Sequence, residues 1–221
     1  MNDRIQITDR ISYIKASEEP LSADVIVVEG DNYTYLFDVG NNDDVAEYLA
    51  ALPEPKKIVL SHFHQDHMGS IGKIPFETVY AGANTEKYFQ NYIEGYAKER
   101  LQDLEKYRIL FEPEIIRDGI ELAIYPIPTS HAKGALALMV NDEYLFLGDS
   151  LYSKVQGNSY VYNAQLLKEE IELLKNLPAE IVFSSHEERP FKRKDGMIRF
   201  LEQIYEKRQK NDAYIRVERK I

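Results

Sequence analysis

Three histidines and an aspartate crowd into the stretch Ser61-His62-Phe63-His64-Gln65-Asp66-His67-Met68-Gly69, which spells H-x-H-x-D-H. No other feature restricts this chain so strongly. The run Lys57-Ile58-Val59-Leu60 ahead of it is apolar and β-branched, and reads as a buried strand. The motif therefore leaves a strand end for a loop, where side chains can converge. His62 and His64, two apart on an extended segment, project to one side and can share a metal. Asp66 and His67 follow where the chain turns, so they can face a second metal close by. Imidazole and carboxylate together suit zinc or a neighbouring first-row ion. A solvated histidine loop or a tag is the plainer explanation, but a tag sits at a terminus and this cluster is internal.

The chain has 5 histidines in all. The two outside the motif, His131 and His186, follow the apolar runs from Ile120 to Ile127 and Ile181-Val182-Phe183. Each thus repeats the strand-end setting of the cluster. Leu145-Phe146-Leu147-Gly148-Asp149-Ser150 is another apolar strand, ending on a carboxylate. An aspartate there is also a common helix N-cap.

Together these residues resemble the metallo-beta-lactamase fold superfamily of metallohydrolases, over essentially the whole chain. The resemblance implies an α/β (α+β) chain folded as a four-layer αββα sandwich, two sheets face to face with helices outside. It implies one domain over residues 1–221. Carried over, His62, His64 and His131 hold a first metal, Asp66, His67 and His186 a second, and Asp149 bridges both. Leu36-Phe37-Asp38-Val39-Gly40 looks like the family's early strand ending in D-x-G, with Asp38 orienting the metal loop by hydrogen bonds. The implied cofactor is two divalent ions, zinc before iron or manganese. The implied chemistry is attack by a metal-bridging hydroxide on an ester, thioester, lactone or phosphoester. Asp66 is the catalytic carboxylate, binding a metal and orienting or deprotonating the nucleophile. Tyr152, Tyr160 and Tyr162 stand close after Asp149, either as oxyanion donors or as packed side chains.

Departures narrow the class. Zinc β-lactamases carry a cysteine where Asp149 stands, and this chain has none. Flavodiiron oxygen reductases carry a glutamate where His64 stands. Glyoxalase II-type thioesterases carry a helical C-terminal domain for glutathione, and 35 residues follow His186 here. Transfer-RNA-processing endonucleases carry an RNA-binding arm with no counterpart in this sequence. A compact hydrolase similar to quorum-lactone hydrolases in ligand set is the expectation. Two other classes stay open: a mononuclear iron oxidoreductase of the persulfide dioxygenase kind, and a non-catalytic metal-binding protein.

The chain of 221 residues, 44% hydrophobic, is long enough to bury a good core. A net charge of −10 disfavours nucleic acid, because phosphate neutralisation needs a basic surface. No apolar run reaches the length of a membrane helix, and the first residues lack the core of a signal peptide. Absence of cysteine removes disulfides and fits the cytoplasm. The partner expected is a small-molecule substrate, with the chain a monomer or homodimer. The cluster from Arg189 to Lys194 would make that substrate anionic if it is an anchor rather than a solvated helix entry.

Period-two patterns predict strands at residues 5–7, 11–15, 25–29, 33–37, 78–81, 114–116, 121–126, 136–140, 144–147 and 180–183. Helical spacing predicts Asn42 to Leu52, with Val45, Tyr48, Leu49 and Leu52 on the inner face, and Asn163 to Leu177. It also predicts Phe191 to Lys210 as mostly helix, with Ala213 to Val217 closing a sheet edge. Asn84 to Leu110 reads as a long helical stretch bent at Gly95. Its Tyr88, Tyr92, Tyr96 and Tyr107 make it the expected wall beside the metals.

Overall fold

The computed structural model describes residues 4–83 and 105–218. The first half runs β1 (Arg4–Gln6), β2 (Ile11–Ile14), the short β3 (Ser17–Glu18) and β4 (Leu21–Ser22), β5 (Val25–Glu29) and β6 (Thr34–Phe37). It continues with helix α1 (Asp43–Ala51), β7 (Lys56–Val59), the single-turn helix α2 (Gln65–Met68), β8 (Thr78–Gly82) and β9 (Tyr107–Leu110). The second half runs β10 (Glu114–Arg117), β11 (Glu121–Ile127), β12 (Ala135–Val140), β13 (Tyr144–Phe146), β14 (Lys154–Gln156) and β15 (Ser159–Asn163). Helix α3 (Ala164–Asn176), β16 (Ile181–Phe183), β17 (Phe191–Arg193), helix α4 (Lys194–Tyr205) and β18 (Tyr214–Glu218) complete it.

Two large sheets result, ordered β1-β2-β5-β6-β7-β8-β9 and β10-β11-β12-β13-β16-β17. Both faces of each sheet are covered, so the central strands are continuous apolar runs whose successive side chains enter opposite layers. In β5, Ile26 and Val28 enter the core between the sheets, while Val25 and Val27 pack under α1 with Val45 and Leu49. In β12, Leu136, Leu138 and Val140 enter that same central core. Ala137 and Met139 pack outward against Leu167 and Ile171 of α3 and Leu201 of α4. The layers are therefore helix, sheet, sheet, helix, the expected αββα sandwich. Among the described residues no helix is long and apolar enough to cross a membrane.

Helix ends follow local chemistry. Asn42 caps α1 by accepting from Asp44 N and Val45 N, and Asn163 caps α3 through Gln165 N and Leu166 N. The inner face of α1 holds Val45, Ala46 and Leu49, whereas Tyr48 is exposed. Three stretches depart from expectation. Tyr107–Leu110, read as the end of a helix, is strand β9, parallel to β8 with Gly82 opposite Leu110. Residues 84–104 of that stretch lie outside the described residues. Phe191–Arg193, read as helix, pairs antiparallel with β16, since an open sheet edge offers backbone partners that outweigh weak local propensity. β18 closes neither large sheet. It pairs with β15 in a separate three-stranded sheet, β14-β15-β18. The hairpin β14–β15 turns on Gly157-Asn158, with Gly157 at φ +60°.

Candidate metal centre

The two sheets meet at the loops that leave β6, β7, β13 and β16. β7 ends at Val59, and Leu60 N donates to Tyr80 O before the chain turns away. Asp66 and His67 sit in α2, whose amino end is His64. Val39 N and Gly40 N, just past β6, both donate to His67 O and clamp this turn. From the second sheet, Gly148 comes so close that a Cβ there would lie 2.6 Å from Ser61 Cβ, and its φ of +54° favours glycine.

All seven expected residues converge, in two sets. One is His62, His64 and His131; the other is Asp66, His67, Asp149 and His186. Within each set, one ligand atom per residue lies within 4.8 Å of all the others. His64 Nδ1 is 2.8 Å from His62 Nε2 and 3.0 Å from His131 Nε2. In the second set His186 Nε2 is 3.4 Å from His67 Nε2 and 3.0 Å from Asp66 Oδ2. Asp149 reaches both sets: Oδ2 is 3.4 Å from His67 Nε2 and 3.4 Å from His131 Nε2. No helix starts at Asp149, and β14 is the next element, so the capping role is excluded.

Tautomers are set from behind. Asp38 is buried, and its Oδ2 lies 2.7 Å from His67 Nδ1 and accepts from Ser61 Oγ at 2.7 Å. Its Oδ1 accepts from Ser61 N at 2.7 Å. A proton held on His67 Nδ1 turns Nε2 toward the other ligands. Ser61 Oγ, having donated to Asp38, accepts from His62 Nδ1 at 2.9 Å and so directs His62 Nε2 inward. The expected orienting role of Asp38 therefore has a concrete geometry. Asp24, which the sequence reading passed over, anchors the backbone of the far loop. It accepts from Ser185 Oγ and His186 N at 3.0 Å each and from Ala16 N at 3.0 Å. These bonds hold His186 at φ +62°, a left-handed backbone that costs a non-glycine residue energy. An aspartate before the apolar run Val25 to Val28 carries no mark in the sequence that separates it from an ordinary strand start.

The two sets differ in electrostatics. Burial, reinforced by neighbouring imidazoles, holds His62 well below the usual histidine range, and burial lowers His131 to about 4. Burial also lowers His64. At neutral pH this set offers uncharged nitrogens with free lone pairs. In the second set burial works against charge but loses. The carboxylates Asp38 and Asp149 raise His67, and the Asp66 hydrogen bond raises His186. Asp66 is held at about 2, because the bond to His186 and the charges of His67 and His186 outweigh desolvation. The second set thus draws positive charge strongly. One atom stands out: Asp149 Oδ1 is buried and has no hydrogen-bond partner.

The tyrosines and basic cluster are placed as follows. Tyr152 donates to Ser185 O at 2.5 Å, which engages its hydroxyl away from the ligands. Tyr162 is buried, and Tyr160 is exposed. Tyr107 packs edge-on against Phe76. In the cluster from Arg189 to Lys194, Lys192 pairs with Glu187, Arg193 with Glu180, and Lys194 donates to Leu177 O.

The family model described as Metallo-beta-lactamase superfamily matches residues 19–186. A hydroxyacylglutathione hydrolase of Klebsiella pneumoniae is 27% identical over 173 residues, covering 71% of this chain and 62% of that protein. A hydroxyacylglutathione hydrolase of Nitrosomonas europaea is 28% identical over 165 residues, covering 73% and 58%. The match thus spans only 62% and 58% of the length of these curated relatives. Among solved structures, an archaeal metallo-beta-lactamase superfamily protein of Sulfolobus tokodaii superposes with a TM-score of 0.63 at 22% identity, covering 93% of this chain and 90% of that one. Rubredoxin:oxygen oxidoreductase of Desulfovibrio gigas gives 0.69 at 14% identity, covering 95% and 63%. At such identities these two likenesses concern the fold alone.

Proposed function

The chain belongs to the metallo-beta-lactamase superfamily, and from that premise we propose that it is a metal-dependent hydrolase of small molecules. His62, His64 and His131 hold one divalent ion, and Asp66, His67, Asp149 and His186 a second. The observation that carries this reading is the pairing of two convergent ligand sets with an orphaned buried oxygen, Asp149 Oδ1. A carboxylate oxygen buried without a donor is costly, and a cation removes that cost. The donors, five imidazoles and two carboxylates, fit zinc, with iron and manganese as close rivals.

Such ions, when bound, bring a coordinated water's pKa down toward ~7 and polarise the scissile bond. The chain's own residues do the rest. Asp66, a carboxylate throughout the neutral range, accepts a hydrogen bond from the attacking water and orients it. Asp149, placed between the sets, holds them together and offsets their mutual repulsion. Asp38 and Ser61 fix the imidazoles of His67 and His62, and Asp24 fixes the backbone at His186, before substrate arrives, which reduces the reorganisation that accompanies the reaction. Among ester, thioester, lactone and phosphoester, the relatives named hydroxyacylglutathione hydrolase favour a thioester.

Elemental analysis and turnover on the four substrate panels test the proposal together. We expect two ions per chain and hydrolysis that disappears with a chelator. Asp149→Ala should lose the second ion first and reduce kcat by orders of magnitude with the fold kept. One iron per chain with oxygen consumption would replace the hydrolase by an oxidoreductase.

A further inference from the structure

Beside the ligand sets lies a cavity of about 1100 Å3 that coordination does not require. It opens between α4 and the small sheet β14-β15-β18, and Leu151, Val155, Met197, Phe200, Ile204 and Val217 form its apolar wall. Val155 and Phe200 are 57% and 50% exposed, and both border the same concavity. Apolar side chains gathered around a concavity mark a binding site more than a packing fault.

Two residues join this cavity to the metal centre. His131 lines it, and so does Tyr152, whose ring meets that of His131 edge-on with centroids 6.2 Å apart. Because the Tyr152 hydroxyl is bonded to Ser185 O, the residue contributes an aromatic surface here, not a donor. Of the cations that line it, Lys192 is paired with Glu187 and Arg193 with Glu180, while Lys207 and Glu218 add one charge of each sign, so the apolar wall is its distinguishing surface. A second cleft, of about 630 Å3, is bordered by Asp66, Asp149 and His186 together with Lys15, Glu187 and Glu188. The ligand sets therefore border both an apolar chamber, through His131, and a more polar cleft, through His186, and Glu187 lines the two.

We infer that the substrate is an asymmetric acyl thioester or ester, with an apolar acyl chain of medium length seated between α4 and the β14-β15-β18 sheet. Its polar leaving group lies in the cleft on the His186 side. This rests on the hydrolase reading above. Water adds across the acyl–sulfur or acyl–oxygen bond, giving a carboxylic acid and a free thiol or alcohol. The chamber exceeds the ~300–1,000 Å3 of ordinary small-molecule sites, and a two- or three-carbon acyl group would leave most of it unfilled. Each methylene buried there should improve kcat/KM about fourfold, or roughly 200-fold between a four-carbon and an eight-carbon acyl group.

The test uses the metal-loaded full chain, with metal content measured in every sample. Acyl thioesters of N-acetylcysteamine with two to ten carbons give the chain-length profile, and calorimetry with octanoate and butyrate gives binding without turnover. We expect the steep rise with length, and octanoate bound at least tenfold tighter than butyrate. Phe200→Asp and Val155→Asp alter exposed wall residues from opposite sides, so one remains informative if the other misfolds. Each should reduce the long-to-short preference at least tenfold, while Phe200→Leu keeps it. Hydrolysis with no dependence on length would overturn the chamber and leave the hydrolase standing. Octanoate binding that is lost in Phe200→Asp, without hydrolysis of any ester, thioester, lactone or phosphoester, would keep the chamber and overturn the hydrolase. Equal binding of octanoate and butyrate at full metal content would overturn the chamber outright.

Discussion

Asp38→Asn tests how the ligands are prepared. The backbone tolerates it: Asp38 has φ +61°, a conformation asparagine accepts and alanine does not. In the native chain Oδ1 accepts from Ser61 N, while Oδ2 faces Ser61 Oγ and His67 Nδ1, all at 2.7 Å. An asparagine that keeps the Ser61 N bond must place its NH2 where Oδ2 was. Two donors then point at each other across 2.7 Å unless His67 moves its proton from Nδ1 to Nε2. Either way Nε2 is lost or misaligned as a ligand. Loss of such a supporting bond weakens metal affinity by about 10–100-fold, or about 1.4–2.8 kcal/mol. The loss should fall on the set containing His67 and spare most of the affinity of His62, His64 and His131. Competition with a chromophoric chelator resolves the two affinities, and nitrogen-15 shifts of the imidazoles report the tautomer. Unchanged affinity at both sets, with His67 still protonated on Nδ1, would refute the reasoning.

Asp24→Ala removes the acceptor of three donors near His186. With about 1 kcal/mol or more at stake per stranded donor, we expect a loss of roughly 3 kcal/mol and a drop of about 6–12 °C in Tm of the metal-free chain. An unchanged Tm in calorimetry would show that the His186 loop holds itself. Glu170 lies on the buried face of α3 with Oε1 unpartnered, and burial raises its carboxyl well above the usual range. The folded chain therefore keeps a proton that the unfolded chain releases, so this residue's penalty grows as pH rises from ~4.5 toward the raised value. Glu170→Leu should raise Tm at pH 7.5 and gain progressively less toward pH 4.5; a gain equal at both would contradict burial as the cause.

The sequence alone determined the ligand chemistry. The H-x-H-x-D-H spacing marked His62, His64, Asp66 and His67 as candidate ligands, the family resemblance added His131, Asp149 and His186, and the fold brings all seven together. Strongly periodic elements were equally legible, because Val25 to Glu29 and Asn163 to Leu177 declare their faces through local alternation and capping. What lay beyond reach depends on distant partners. Phe191–Arg193 becomes a strand only because β16 presents an edge, and Tyr107–Leu110 only because β8 does. Asp24 and Ser185 are 161 residues apart, and nothing local marks either as a support for His186. The apolar chamber is assembled from Val155, Phe200 and Val217, which meet through the pairing of β15 with β18 and the packing of α4. Local pattern fixes which residues can bind a metal, since that is a property of single side chains. Which surfaces surround the metal is a property of contacts between remote segments, and only the tertiary structure decides it.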